Sequence, residues 1–104
     1  MNELTAQQVF ERLNDAQIVD VREAEEVADG MISGARHIPL AEVQGSAGQL
    51  DKVRPVIAVC RSGRRSAAAA EQLAAAGFTA YTMTGGMIEW TGAGLPTDVP
   101  RPAQ

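Results

Sequence analysis

The stretch V-I-A-V-C-R-S-G-R-R-S-A-A-A-A, residues 56–70, joins a strand to a helix across the chain's only cysteine. Val56-Ile57-Ala58-Val59 is a continuous apolar run behind Pro55, the pattern of a central strand buried on both faces of a parallel sheet. Alanine propensity makes residues 66–76 the strongest helix in the chain, with Gly77 at its stop position. Strand followed at once by helix is half of a βαβ unit. Cys60, Arg61, Arg64 and Arg65 fall on the connection, outside the carboxyl end of the strand, where open α/β sheets bind ligands.

The same alternation continues on both sides. Upstream, Thr5 and Gln8 stand three apart as a capping box, and Leu4 and Val9 occupy the positions of a hydrophobic staple. Phe10 and Leu13 extend that helical stripe until Asn14-Asp15. Residues 18–22 are short and β-branched, a strand. Residues 23–29 are helical in composition and stop at Gly30. An extended piece centres on Arg36-His37-Ile38, followed by a short helix near 40–44 and a loop through 45–48. Downstream, residues 78–83 read as a strand, Gly85-Gly86 as a turn, and Met87 to Trp90 as the start of a last helix. The end of the chain, L-P-T-D-V-P-R-P-A-Q, has three prolines and is expected to run extended over the surface. The 104 residues fit one domain, with a core over about 5–96 and an extended Pro-rich tail over 97–104. Strands alternating with helices imply parallel βαβ units in an open sheet.

Charge is unevenly placed. The net charge is −4, which does not favour nucleic acid or an anionic membrane as partner. Three of the nine basic residues nevertheless crowd behind Cys60, leaving six basic against thirteen acidic residues elsewhere. That suits a local anion site. One cysteine excludes an internal disulfide, and one Cys with one His does not build a usual zinc site, so no metal and no cofactor are expected. No apolar run approaches the ~20 residues of a membrane span. The N-terminus lacks a basic segment followed by an apolar one, and with the lone thiol this leads to an expectation of a reducing cytoplasm.

A helix N-terminus leaves backbone N–H groups unpaired and carries about half a positive charge. Gly63 allows successive amides to curl inward as a nest. Helix N-termini and neighbouring arginines lower a cysteine pKa from about 8.5 to roughly 3.5–7.5, so Cys60 is expected as a thiolate at neutral pH, with no histidine base required. The same groups would hold an oxyanion beside the sulfur. The plainer alternative is an inert buried cysteine, a common fate of this residue type. Three arginines and a helix start speak against it.

C-R-S-G-R-R-S, residues 60–66, resembles the active-site loop of rhodanese domains, the thiosulfate sulfurtransferases. I-V-D-V-R (18–22) is similar to that family's first Asp-x-Arg strand, G-M-I-S-G-A-R-H-I-P-L (30–40) to its G-H-I-x-G-A-x-x-I-P segment, and G-G-M-I-E-W (85–90) to its G-G-x-x-x-W ending. The four stand in the family's order from about Thr5 to Pro96. The resemblance implies a five-stranded parallel sheet flanked by helices on both sides. It also implies sulfur transfer through a Cys60 persulfide, held by the loop of Arg61, Ser62, Gly63, Arg64, Arg65 and Ser66. A small anionic donor such as thiosulfate would supply the sulfur, and a thiophilic acceptor such as cyanide or a thiol would remove it. Arg65 is placed nearest the helix start, and Arg61 and Arg64 at the rim. Asp20 and Arg22 are expected to tie the sheet end to neighbouring backbone and support the loop. Met31 stands where the family often has His; that His is read as structural packing or a hydrogen bond, so its loss is expected to change little, and His37 is read as structural or surface.

Two alternatives remain at this level. One is a sulfur carrier or interaction module that takes its persulfide from a partner protein. The other is a cysteine phosphatase or arsenate reductase, since one group of dual-specificity phosphatases shares the fold. Those carry H-C-x-x-x-x-x-R; here Val59 replaces the His, and Arg65 falls at Cys+5 with Ser66 at Cys+6. A loop one residue shorter makes a smaller cradle, better suited to a sulfur atom than to phosphate.

Overall fold

The computed structural model describes residues 2–100. Five strands form one sheet: β1 (Asn2–Leu4), β2 (Gln17–Asp20), β3 (Arg36–His37), β4 (Val56–Val59) and β5 (Ala80–Met83). Their order is β1-β5-β4-β2-β3, and every pairing is parallel. The helices are α1 (Ala6–Glu11), α2 (Ala24–Ala28), α3 (Val43–Ser46), α4 (Arg64–Ala75) and α5 (Gly86–Gly92).

β4 is the centre of the molecule, and all four of its residues are buried. Side chains alternate across a strand, so β4 feeds two cores. Val56, Ala58 and then Cys60 pack with Val43 of α3 and Ala69, Ala70 and Leu73 of α4. Ile57 and Val59 pack on the other face with Val9 of α1 and Met87 and Trp90 of α5. The sheet is therefore covered by helices on both sides.

Local readings hold where a backbone group has a specific partner. The Thr5/Gln8 capping box forms, with Thr5 Oγ1 accepting from the Gln8 amide at 3.1 Å and Gln8 Oε1 from the Thr5 amide at 2.9 Å. Leu4, read only as a staple, ends β1, which pairs with β5 along Asn2–Leu4. Three residues next to a capping box carry too short a pattern to read as a strand. The loop expected at 45–48 is instead helical: α3 is flanked by 3₁₀ turns at Leu40–Glu42 and Ala47–Gln49. Its two glycines hide the anchors, since Val43 and Leu50 on either side are buried.

Residues 96–100 are exposed on the surface, and this segment is fastened. Met31 and Asp98 exchange two backbone hydrogen bonds of 2.8 Å in an antiparallel bridge, and Trp90 Nε1 donates to the Pro96 carbonyl at 2.9 Å. The expectation for residues 101–104 lies outside the described residues. Met31 is buried, and its backbone makes this bridge. Among the described residues no helix is long and apolar enough to cross a membrane.

Candidate active site

β4 delivers Cys60 to the carboxyl end of the sheet, and the chain turns into α4 within three residues. Gly63 makes the turn in the left-handed region, at φ +107°, and α4 begins at Arg64, two residues before the alanine pattern begins. Arg64 and Arg65 therefore occupy the first turn of the helix and leave only Arg61, Ser62 and Gly63 as loop. Cations at a helix N-terminus oppose its dipole, so this turn needs anions near it.

Two acidic groups are in place. Cys60 Sγ accepts a hydrogen bond from the Gly63 amide at 3.0 Å and lies 3.4 Å from Ser66 Oγ. Burial, the largest single influence, pushes the Cys60 thiol up. The Ser66 hydroxyl and the amides of Ser66, Gly63 and Ser62 outweigh it and bring the thiol below its ordinary range. The second is Glu26 of α2, whose two carboxylate oxygens accept from Arg65 Nη1 at 2.6 Å and Nη2 at 2.8 Å. This fork lowers the Glu26 carboxyl to about 2 against the opposing effect of burial. Glu26, and to a smaller degree Cys60, in turn raise the pKa of Arg65.

The arginines thus divide. Arg65 is tied to α2. Arg61 and Arg64 are exposed and line different cavities. Arg61 lines an open cavity of about 310 Å³ together with Arg22, Glu26, Asp29, Met87 and Ile88. Arg64 lines a smaller one of about 200 Å³ with Glu3, Ser62, Gly63 and Thr82. Cys60 itself is only 1 % exposed, so a reactant must be slim or must present a protruding atom.

Asp20 and Arg22 brace the site from below. Arg22 Nε and Nη2 donate to the Asp20 carboxylate at 2.8–3.1 Å, and Nη2 also donates to the Gly30 carbonyl at 2.8 Å. This buried fork folds the chain back after β2 and seats α2, from which Glu26 reaches α4. His37 Nε2 lies 2.7 Å from the Arg22 carbonyl oxygen and fixes the same turn.

Three contributors are not evident in the sequence by residue type. Glu26 is one of three glutamates in four positions, and nothing local marks it. Thr82 sits in an apolar strand, yet its Oγ1 lies 2.7 Å from Ser66 Oγ, with both hydroxyls buried. Gly86 lets α5 touch the loop: its amide neighbours Met87 and Ile88 donate to the Cys60 and Arg61 carbonyls at 2.8 and 3.1 Å. With φ at +57°, a Cβ at Gly86 would overlap those same carbonyl oxygens. The G-G-x-x-x-W motif held the signal, though not its reason. With the loop carbonyls turned outward to α5, the loop amides are left to face the sulfur.

Residues 5–93 match the rhodanese-like domain family. A sulfurtransferase of Allochromatium vinosum is 34% identical over 104 residues, covering 96% of this chain and 97% of that protein. The thiosulfate sulfurtransferase GlpE of Pseudomonas aeruginosa is 38% identical over 80 residues, 76% of this chain and 73% of that one. Among solved structures, a rhodanese-related protein from Thermoplasma volcanium superposes with a TM-score of 0.91 at 28% identity, covering 96% of this chain and all of that one. A cysteine at the end of a central parallel strand, cradled by the amides of the following helix, is thus accompanied by likeness along nearly the whole chain, and the protein belongs to the rhodanese-like sulfurtransferase family.

Proposed function

We propose that the protein moves a sulfane sulfur from thiosulfate, or a comparable anionic donor, to a thiophilic acceptor through a persulfide on Cys60. The supporting observation is the cradle: a buried sulfur that receives the Gly63 amide at 3.0 Å and is held below its ordinary pKa by hydrogen bonds. In the first step the Cys60 thiolate attacks the outer sulfur of thiosulfate. A new S–S bond forms, the bond between the two donor sulfurs breaks, and sulfite leaves with that electron pair. In the second step cyanide or a thiolate attacks the outer sulfur of the persulfide, and the electron pair returns to Cys60. This two-step covalent scheme exchanges no net charge with the protein. The terminal persulfide sulfur is anionic and fits the amides of residues 62–66. Arg61 and Arg64 attract the donor to the loop. A cycling thiol suits a reducing compartment, and a sulfur-relay protein can take the place of either small reactant.

Transfer of a phosphoryl group is less well supported. Arg65, at Cys+5, offers both guanidinium nitrogens to Glu26, which leaves no fork free to clamp a phosphate. Steady-state thiocyanate formation with thiosulfate and cyanide both varied tests the proposal. Parallel double-reciprocal lines and an inactive Cys60→Ser variant are expected. Intersecting lines, or activity surviving in Cys60→Ser, would contradict it. Parallel lines with a very high KM for thiosulfate would move the donor role to a partner protein's persulfide.

A further inference from the structure

The buried polar side chains among the described residues are Asp20, Arg22, Ser66 and Thr82. Asp20 and Arg22 answer each other. Ser66 and Thr82 also answer each other, and Ser66 reaches Cys60. Thr82 stands in β5 opposite Ala58 of β4, and on one face with Ala80, which packs in the apolar core beneath α4. Valine would fill that position without a hydroxyl to satisfy. Burying an unbonded hydroxyl costs free energy, and the only hydrogen-bond partner of Thr82 Oγ1 among the described side chains is Ser66 Oγ, at 2.7 Å.

We propose that Thr82 is a positioning residue that aims the Ser66 hydroxyl at Cys60 and so favours the charged sulfur. This rests on Cys60 as the working thiol. The order of donors sets the effect. With the sulfur charged, Ser66 O–H donates to Sγ, and Ser66 Oγ accepts from Thr82 O–H, so each bond polarises the next in the same sense. With the sulfur protonated, Sγ–H donates to Ser66 Oγ, Ser66 O–H turns to Thr82 Oγ1, and the chain runs backwards. Thr82 also lines the cavity of about 200 Å³ beside Arg64, so its own proton can turn toward that space in the reversed state. Without Thr82 the Ser66 hydroxyl loses the donor that holds its lone pair and is free to turn away from sulfur. The charged groups around this chain are Arg64 on α4 and Glu3 on β1, which line the small cavity with Thr82, and Arg65 on α4, tied to Glu26 of α2; Arg61 follows Cys60 directly and lines the other cavity.

The test is titration of Cys60 by thiolate absorbance, which needs no sulfur transfer, in wild type, Thr82→Val, Thr82→Ser, Ser66→Ala and Ser66→Ala/Thr82→Val. Thr82→Val keeps the shape and β propensity of the site and is expected to fold. Its midpoint should rise by about half to one pH unit, and Thr82→Ser should restore the wild-type value. In the Ser66→Ala background Thr82→Val should have no further effect. An unchanged midpoint in folded Thr82→Val would overturn the proposal, as would equal shifts in the Val and Ser variants or a Thr82→Val shift that survives without Ser66. A normal shift series in a protein that accepts no sulfur would leave this inference standing and remove the transfer reading above.

Discussion

α4 and α5 start alike and are used differently. Each follows a buried strand, each turns through a left-handed glycine, Gly63 or Gly85, and each begins one residue later. The amides at the start of α4 converge on the Cys60 sulfur. Those at the start of α5 go to the carbonyls of Cys60 and Arg61. One helix end is left open for charge, and the other is consumed in shaping the loop that opens it. A nest needs its carbonyls turned away, and the turned carbonyls need donors. The second helix meets the requirement that the first one creates.

The contrast can be broken first at Gly86. Gly86→Ala combines a left-handed φ with overlap on two loop carbonyls, and should cost on the order of 3 kcal/mol or more in urea unfolding. Gly63→Ala is strained by its φ of +107° alone, because the nearest atoms to its Cβ lie 3.4 and 3.6 Å away. It should cost about 1–2 kcal/mol, yet damage the sulfur cradle more than its stability loss suggests. Equal stability losses at the two glycines would remove the distinction between a packed and an open helix start.

The smallest effect is expected at the tie between α2 and α4. Glu26 titrates near 2 in the folded protein, below its unfolded value of about 4.5. Its pairing therefore adds stability that is fully present above pH 4.5 and is lost as pH falls through 2. Glu26→Gln should be less stable than wild type by about 1 kcal/mol at neutral pH, given the partial exposure of the pair. That difference should shrink as pH falls below 4.5 and vanish as it passes below 2. A difference that does not change with pH would mean that Glu26 acts through packing.

Much of the scaffold was legible in the chain because its signals are local. The apolar run of β4, the alanine helix, the Thr5/Gln8 box and the glycine stops each act within a few residues, and the family motifs set the sheet class. Asn2–Leu4 escaped as a strand because an edge strand of three residues is specified by its partner β5 and not by its own pattern. Residues 45–48 escaped because glycine argues for a loop, while Val43 and Leu50, packed in the core on either side, hold the helical turns. At the site, Cys60 and its loop announced themselves through charge and spacing. Glu26 and Thr82 did not, since a surface glutamate and a strand threonine are ordinary until the fold sets them 39 and 16 residues away against Arg65 and Ser66. The helix start at Arg64 was displaced for a related reason: Gly63 caps the helix by conformation, before propensity is felt.

The most direct measurement is intact mass spectrometry of wild type and Cys60→Ser after incubation with thiosulfate, followed by cyanide. The open end of α4 is expected to hold one added sulfur atom on wild type alone, released by cyanide with recovery of the original mass. No added sulfur on a folded wild type whose Cys60 still alkylates at neutral pH, or the same gain on Cys60→Ser, would contradict the claim that this helix end cradles a persulfide formed from thiosulfate.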